Sequence, residues 1–324
     1  MLKNIAIKTI GNLVSKQNAN NKLLIIAYHR VLDIPDPIQK QIVDKIQFDW
    51  QMETLNKYFN VLPLTEAVER LSSGGLPNRA IAVTFDDGYA DNHDIALPIL
   101  KKWNIPATFF ISTGFINGGI MWNDRIIESI RKVNDKTLDL TNINYGIYNI
   151  DSIESRRNTI SDLLNRLKYL SFEKRHDLVD SIVDMLGVKM PNNLMMTSEQ
   201  INNLSHNDMG IGAHTVNHPI LNSISTKKAQ WEITQSKNQL KEIISKDVIA
   251  FAYPNGRPGK DYNKTHVEFV KSAGFKLSVS TAWGVAKVGV DQFQLPRIGS
   301  WDSNPTRFSM RLLKTYLDGM PEII

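Results

Sequence analysis

The chain has no cysteine among its 324 residues. A disulfide framework, a thiolate metal site and a cysteine nucleophile are therefore all excluded. Long apolar runs are missing too, because no window approaches the roughly 18 to 20 continuous apolar residues that a membrane-spanning helix needs. A hydrophobic content of 42% nevertheless fits a well-buried globular core and argues against extensive disorder.

Blocks of like charge are also absent. The net charge is +5 and the pI is near 9.1, and the lysines and arginines do not form long runs. This balance indicates a solvated basic surface, with attraction to anionic glycans or membrane lipid as the alternative. We expect no nucleic-acid partner.

The first 18 residues combine an apolar stripe at helical spacing with lysines. The apolar positions are Leu2, Ile5, Ala6, Ile10, Leu13 and Val14, and the lysines are Lys3, Lys8 and Lys16. A continuous apolar core and a small-residue cleavage site are lacking, so the pattern is not typical of a secretory signal. We predict an amphipathic helix over residues 1–22, either packed on the main domain or lying on a membrane surface through residues 1–18, with an unusual export signal as the third alternative. A cytoplasmic protein is expected in the first two cases.

Short apolar runs alternate with helical patterns over much of the chain, which predicts an α/β fold around a parallel sheet or barrel. The predicted strands are Leu23–Tyr28, Ala80–Phe85, Ala107–Ser112, Gly210–Ala213, Val248–Ala252 and Lys276–Ser280. The predicted helices are Phe48–Tyr58, Leu64–Leu71, Ala90–Trp103, Lys227–Ile244 and Lys264–Ala273. Gly274, directly after the last of these, fits a helix C-cap.

The region from about residue 122 to 191 breaks this alternation. It is predominantly helical, with segments over Asp124–Val133 and Ile153–Leu186 and a short alternating stretch between them over Tyr145–Ile150. Charges and leucines at helical spacing usually indicate surface helices that cover a core. We interpret it as an insertion in a main domain of residues 23–305, which a C-terminal helix or tail over 306–324 follows.

Two adjacent carboxylates, Asp86 and Asp87, follow the predicted strand that ends at Phe85 and precede Gly88. The carboxyl end of a strand is where α/β folds usually place active sites. Side chains alternate along an extended backbone, so one carboxylate can bind a metal while its neighbour handles a proton. Taken alone, an Asp-Asp-Gly triplet is more often a turn.

Two further turns support a functional interpretation. His214 and His218 follow the strand that ends at Ala213, and their spacing of four suits Zn²⁺ or a similar ion when a carboxylate completes the set. Tyr253-Pro254-Asn255-Gly256 follows another strand. This is a good turn signal, and such turns can also aim a backbone N–H at a developing oxyanion.

Together these segments resemble the polysaccharide deacetylase family, carbohydrate esterase family 4, whose shared part is the NodB homology domain. The matching motifs are Thr84-Phe85-Asp86-Asp87-Gly88, His214-Thr215-Val216-Asn217-His218 and Tyr253-Pro254-Asn255-Gly256. The resemblance runs from about residue 23 to about 298, interrupted by the insertion. Segments 28–31, 97–100, 106–110 and 295–298 resemble the branch that acts on bacterial exopolysaccharides and surface polysaccharides. The resemblance implies a distorted (β/α) barrel of about seven strands.

Carried over position by position, the resemblance implies that Asp87, His214 and His218 hold a divalent metal and that Asp86 is the general base. Zn²⁺ is the first expectation, with Co²⁺, Ni²⁺ or Fe as alternatives. Such a metal lowers the pKa of water, and Asp86 takes the proton as the water attacks an N-acetyl amide. Tyr253 and Asn255 are expected to contact the oxyanion or the substrate, with the backbone N–H near Asn255 as the oxyanion donor.

The chain also departs from the family pattern. Many relatives carry an aromatic residue at the position of Asn255, and the Leu-x-His signature that supplies their general acid has no clear equivalent near Arg297. We predict His29 as the acid, because it follows a strand next to the one bearing Asp86; a structural hydrogen bond is the alternative. Arg297 is preferred to Arg257 as the partner that keeps Asp86 ionised, with a plain structural ion pair as the alternative.

His266 is expected on a helix surface. The predicted function is removal of acetyl from an N-acetylhexosamine unit of a bacterial surface polysaccharide or its lipid-linked precursor. A peptidoglycan or chitin-oligomer deacetylase and a non-catalytic glycan-binding relative are the alternatives. The presence of Asp86 beside Asp87 argues against the last of these, because a binding module needs no base.

Overall fold

A curled, mainly parallel sheet organises the chain in a computed structural model, which describes residues 11–12, 22–299, 302–321 and 323–324. The strands are β1 (Lys22–Tyr28), β2 (Val31–Leu32), β3 (Val43–Asp44), β4 (Asn60–Val61), β5 (Ala80–Phe85), β6 (Ala107–Ile111), β7 (Thr137–Leu140), β8 (Gly146–Asn149), β9 (Gly210–Ala213), β10 (Ala250–Ala252), β11 (Leu277–Val279), β12 (Ala286–Lys287) and β13 (Ile298–Gly299). The helices are α1 (Lys45–Tyr58), α2 (Leu64–Ser73), α3 (Leu97–Lys102), α4 (Trp122–Lys132), α5 (Ile153–Leu167), α6 (Phe172–Leu186), α7 (Ser198–His206), α8 (Thr226–Ile244), α9 (Lys264–Ser272) and α10 (Pro305–Thr315).

The main sheet has the strand order β11-β10-β9-β6-β5-β1-β12, with β13 also paired to β1 and β4 to β5. All these pairs are parallel except β1 with β12. The curled sheet with helices packed on it confirms the predicted barrel-like α/β class. Since parallel strands point the same way, their carboxyl ends meet at one edge, where the three motifs lie.

The central strands are buried on both faces, which explains their continuous apolar runs. Every residue of β5 is buried, and β1 pairs with it in register from Leu23 opposite Ala80 to Tyr28 opposite Phe85. Aromatic rings fill the space beneath the carboxyl ends, with Phe85 stacked on Phe109 at a centroid distance of 4.7 Å. The register therefore places the residues after β1 beside the carboxylates after β5.

Residues 292–299 bridge the gap between β11 and β1. Ser280 donates its N–H to the Leu295 carbonyl (2.8 Å), and Leu295 donates to the Ser278 carbonyl (3.0 Å). Three positions later, Ile298 of β13 pairs with Ile26 of β1. This short seam makes the ring of strands nearly continuous although β11 and β1 do not pair directly.

The region predicted as an insertion forms helices α4, α5 and α6 with the antiparallel β7–β8 hairpin. These elements share a hydrophobic cluster of their own, which includes Ile130, Leu163 and Ile182. The predicted helix over Ile153–Leu186 is divided in two, because Ser171 caps the start of α6 with its side chain. The alternating stretch becomes β8, whose partner β7 the sequence did not indicate.

Other predictions have mixed outcomes. Gly274 has the left-handed backbone (φ 79°) expected after a helix, which confirms the predicted stop after α9. The prediction of a surface His266 is wrong: its ring is 4% exposed, and its Nδ1 accepts the Asn263 N–H at the start of α9 (3.1 Å). The ring is therefore buried, where it caps the start of α9.

The predicted N-terminal helix lies outside the described residues, apart from Gly11, Asn12 and Lys22. The division into residues 1–22, 23–305 and 306–324 remains a prediction. Within the described part of the chain, no helix combines the length and apolar content required to cross a bilayer.

Candidate active site

The three motif loops use backbone conformations that are unusual for side-chain-bearing residues. Asp87, Thr215, His218 and Asn255 all have positive φ, between 50° and 78°. Such conformations cost about 1–3 kcal/mol each and persist where the surrounding structure enforces them. After Asp87, Gly88 has φ 93° and a Cβ there would lie 3.1 Å from Ile111, so glycine is required at this turn.

Asp87, His214 and His218 form a compact group at the carboxyl ends of β5 and β9. One ligand atom from each lies within 4.8 Å of the other two. The Nε2 atoms of His214 and His218 are 3.5 and 3.4 Å from Asp87 Oδ1. That oxygen is buried and has no hydrogen-bond partner among the described residues. A buried, unpartnered carboxylate oxygen facing two imidazole nitrogens fits a divalent cation.

Hydrogen bonding settles which His214 nitrogen faces the group. Its Nδ1 lies 2.7 Å from the Ala252 carbonyl, which can only accept, so Nδ1 carries the proton and Nε2 presents a lone pair. His214 is 2% exposed. This carbonyl, at the end of β10, fixes both the tautomer and the ring orientation.

The protonation states of Asp87, His214 and His218 suit the binding of a cation. Burial opposes ionisation of Asp87, yet His214 and His218 hold the pKa of its carboxyl well below the usual range. Burial lowers the pKa of His218 to about 3, so its ring is neutral at physiological pH. Burial opposes protonation of His214 too, but Asp87 and Asp86 raise its pKa. Metal binding at His214 must therefore compete with a proton and weakens as pH falls.

Asp86 has a different environment from its neighbour. It is 3% exposed and held by the Arg297 guanidinium, with Nη1–Oδ1 at 2.7 Å and Nη2–Oδ2 at 2.6 Å. Burial opposes ionisation, but Arg297 outweighs it and lowers the pKa of Asp86. Arg297 is fixed in turn by donation from its Nε to the Ser280 carbonyl (3.0 Å). The predicted Arg297–Asp86 pair is present, whereas the exposed Arg257 donates its backbone N–H to Asp261.

A cavity of about 490 Å³ opens beside these groups. We call it the site cavity; its lining is Ala27, Tyr28, His29, Arg30, Gln39, Gln41, Ile42, Val43, Asp87, Tyr89, Asn123, Thr281, Trp283, Arg297, Ile298 and Gly299. The exposed His29, predicted as the general acid, is thus brought to the cavity with Asp87 and Arg297. A second cavity of about 660 Å³ includes Ile249 and Lys276 and lies at the amino ends of β10 and β11, away from the carboxylates.

The structure does not bring the Tyr253 side chain to the cavity. The ring is fully buried and stacks on Tyr262 at 3.8 Å, so a substrate cannot touch it. Asn255 is better placed, because Thr281 of the cavity lining donates its hydroxyl to the Asn255 carbonyl (2.6 Å). The Asn255 N–H has no acceptor within the described residues, which leaves it available to a ligand.

Glu232 of α8 is a site residue that the motifs did not reveal. It is fully buried; its Oε2 accepts the N–H groups of Val216 and Asn217 (2.9 and 2.8 Å), and its Oε1 accepts the Asn217 amide (2.8 Å). The carboxylate thereby holds the loop between the two histidines. A usable signal existed, since Glu232 lies at helical spacing with the buried Ala229, Ile233 and Ser236.

A polar network extends behind Asp87. Tyr89 lines the cavity and donates its hydroxyl to Asp124 of α4 (2.9 Å), while Arg30 lies 4.8 Å over the Tyr89 ring and pairs with Asp91 (2.8 Å). Burial raises the pKa of Asp124 to about 7. The insertion therefore contributes to the surroundings of the site as well as to its own cluster.

Comparison with known proteins places these observations in context. The family profile described as Polysaccharide deacetylase matches residues 73–142 and 176–278. YxkH of Bacillus subtilis (strain 168), whose name refers to the same family, is 22% identical over 86% of this chain and 71% of its own length. The poly-β-1,6-N-acetyl-D-glucosamine N-deacetylase of Staphylococcus aureus (strain N315) is 32% identical over 30% of this chain and 38% of its own length.

Solved structures share the fold. The deacetylase PplD of Streptococcus pyogenes, in complex with acetate, superposes with a TM-score of 0.60 at 24% identity, covering 91% of this chain and 98% of that one. IcaB of Ammonifex degensii gives a TM-score of 0.59 at 19% identity, covering 92% and 97%. Residues 143–175 of this chain, which the family profile does not match, lie inside the predicted insertion.

We expect the Glu232→Gln substitution to weaken metal binding. An amide placed against three N–H donors can accept through one oxygen only, so the loop that carries His214 and His218 loosens. Residues that orient metal ligands typically contribute about 10- to 100-fold in affinity. Competition against a chromophoric chelator measures the change, with the exposed Glu242→Gln in the same helix as control. Equal affinities of the two variants would contradict the positioning role.

Replacement of Arg297 by Met should destabilise the fold by about 3–5 kcal/mol at pH 7, because Asp86 becomes an uncompensated buried charge. The folded-state pKa of Asp86 lies below its unfolded value, so the pair stabilises above pH about 4 and loses this contribution as pH falls through the folded pKa. The difference from wild type should therefore shrink below pH 4. Urea unfolding at several pH values measures it, and Arg257→Met, which removes an exposed arginine, should have little effect.

Proposed function

The chain belongs to the polysaccharide deacetylase family, whose members hydrolyse N-acetyl amide bonds, and we propose that it removes acetyl from an N-acetylhexosamine unit of a bacterial surface polysaccharide in a metal-dependent reaction. One observation carries this proposal. Asp86, buried and paired with Arg297, stands next to Asp87, whose free oxygen faces two histidines. A proton acceptor and a cation site are thus adjacent residues at the edge of one cavity.

Asp87, His214 and His218 would hold the metal. When bound, a divalent ion supplies Lewis-acid polarisation of a carbonyl and makes water acidic enough to ionise near neutral pH. We expect Zn²⁺ first, with Co²⁺, Ni²⁺ or Fe as alternatives, since one carboxylate and two imidazoles suit all of these ions.

Asp86 is the general base of the proposed reaction. Both of its oxygens accept from Arg297, yet each carboxylate oxygen has a second lone pair, so a proton can still be taken. The water oxygen attacks the amide carbon as its proton passes to Asp86. Because Arg297 lowers the pKa of Asp86, the carboxylate is ionised at the start of each turnover.

The remaining roles are assigned to Asn255 and His29. The Asn255 N–H is suited to donate to the oxyanion that develops on the former carbonyl oxygen. As the C–N bond breaks, His29 gives a proton to the leaving amine, and acetate and the free amino sugar result. Trp283 adds an aromatic surface, 43% exposed, to the cavity wall, as expected of a carbohydrate site.

The substrate is proposed from the relatives. The Staphylococcus aureus relative is named for poly-β-1,6-N-acetyl-D-glucosamine, and we propose a related surface polysaccharide or its lipid-linked precursor for this chain. A cytoplasmic location with membrane contact through residues 1–18 also remains a proposal. Acetate release from β-1,6-linked and β-1,4-linked N-acetylglucosamine oligomers and from peptidoglycan distinguishes the substrates, and preference for either of the last two would favour a chitin-type or peptidoglycan deacetylase.

Asp87→Ala and His214→Ala should each lose bound metal and activity together, because two remaining ligands hold an open site poorly. Elemental analysis of the purified variants provides the measurement. Full metal occupancy in both would refute the proposed ligand set.

Asp86→Asn should keep its metal and lose most of its turnover. The amide preserves the shape of the side chain and removes the base, and a positioned base contributes about 10²- to 10⁴-fold. Acetate release from a β-1,6-linked N-acetylglucosamine oligomer measures the loss, and Asp184→Asn, at an exposed aspartate of α6, serves as control. Wild-type turnover by Asp86→Asn would exclude the assigned role, and an inactive wild-type enzyme that still binds glycan would favour a binding protein.

A further inference from the structure

One wall of the site cavity comes from the loop between β2 and β3, residues 33–42. Gln39, Gln41 and Ile42 of this loop line the cavity, together with Asn123 from the first turn of α4. The loop has no regular secondary structure of its own that would fix the cavity-lining side chains. Its conformation must therefore depend on its contacts with the rest of the molecule.

The insertion supplies these contacts through Arg131 of α4. Its Nη1 and Nη2 donate to the two oxygens of Asp36 (3.0 and 2.6 Å), and Nη2 also donates to Gln39 Oε1 (3.3 Å). Glu128 accepts from the Arg131 Nε (3.0 Å), which directs the guanidinium toward the loop. Ile38 adds apolar contact by packing against the insertion's own cluster. One arginine thus clamps the loop at two of its side chains.

These contacts decide how Gln39 presents itself to a ligand. Arginine has donors only, so the oxygen of the Gln39 amide must face Arg131 and its NH₂ group must face away. Gln39 is 8% exposed, and its carbonyl accepts the Ile42 N–H (3.0 Å), which fixes the backbone as well. The Nε2 group has no acceptor within the described parts of the chain. It is left as an oriented donor in the cavity wall.

We propose that Gln39 is a substrate-binding residue whose Nε2 donates to an oxygen of the glycan, and that Arg131 of the insertion positions it through Oε1. The inference rests on the proposed deacetylase function and adds a recognition element to it. Gln39 belongs to the wall and is not part of the group formed by Asp86, Asp87 and the histidines. Its bond should therefore contribute equally to substrate and transition state, which changes KM and leaves kcat unaltered.

The test compares Gln39→Met, Arg131→Met and the double variant with wild type, all zinc-loaded. Methionine keeps the length of glutamine and removes its amide, so loss of one hydrogen bond should raise KM about 3- to 10-fold at unchanged kcat. The substrate is a β-1,6-linked N-acetylglucosamine pentamer, and acetate release is measured. Calorimetric titration of the same pentamer in an Asp86→Asn background gives Kd, which should rise by the same factor.

The double variant isolates the positioning role. If Arg131 acts through Gln39, the double variant binds no more weakly than Gln39→Met, whereas independent effects would multiply and refute the positioning. Arg125→Met is the matched control, because it removes the pair that joins α4 to Asp180 of α6 (2.5 Å) and does not touch the loop. We expect wild-type Kd and KM for it. Arg131→Lys, which keeps the charge without the planar fork, replaces Arg131→Met if the latter does not fold, with the same expectation.

The outcomes separate this inference from the proposed reaction. An unchanged Kd and KM in Gln39→Met, with normal acetate release, overturns the role of Gln39 alone. If wild type binds the glycan but releases no acetate, and Gln39→Met binds it more weakly, the proposed reaction is overturned and the role of Gln39 is supported. Failure of wild type to bind any of these glycans overturns both.

Discussion

The buried pair between Asp86 and Arg297 connects the chemistry of the site to the closure of the barrel. Arg297 lies in the seam of residues 292–299 that spans the gap between β11 and β1, and its side chain reaches across to the end of β5. Two charges taken out of water are tolerated because both oxygens and three guanidinium nitrogens have partners. The segment that bridges β11 and β1 thus also carries the arginine that keeps Asp86 ionised and fixes its direction.

The two adjacent carboxylates of Asp86 and Asp87 have different partners. Asp86 continues the strand, with its N–H donated to the Tyr28 carbonyl (2.9 Å), and turns its side chain toward Arg297. Asp87 departs from the strand with a positive φ and turns toward the histidines. Both oxygens of Asp86 therefore have a partner, whereas Asp87 has an oxygen without one, although the two residues are neighbours in sequence. The turn at Gly88 makes this divergence possible.

Much of this arrangement could be predicted from the sequence. The strands that end at Tyr28, Phe85 and Ala213 were located closely, because buried parallel strands are continuous apolar runs bounded by turn residues. The family resemblance supplied the seven-strand barrel and the assignments of Asp86, Asp87, His214 and His218. The proximity of these four residues is observed, while their chemical roles remain proposals.

What sequence reasoning missed has a common cause. Glu232 and Arg131 act through contacts between different segments of the chain. Local periodicity does not predict such contacts. His266 was misplaced because a polar residue on a helix usually faces water, but here a capping bond to Asn263 satisfies the ring inside the protein. The short strands β2, β3, β4, β12 and β13 are too brief to give a periodic signal.

The separation of 211 positions between Asp86 and Arg297 has a consequence for the order in which the protein is made. Synthesis proceeds from the amino terminus, so the strand that bears Asp86 leaves the ribosome long before its counter-charge exists. Until the seam arrives, a nascent barrel has an open side and an acidic group that prefers water to the interior. The ring can close only after residue 297 has been translated, and a nascent chain shortened before that residue cannot form the finished site.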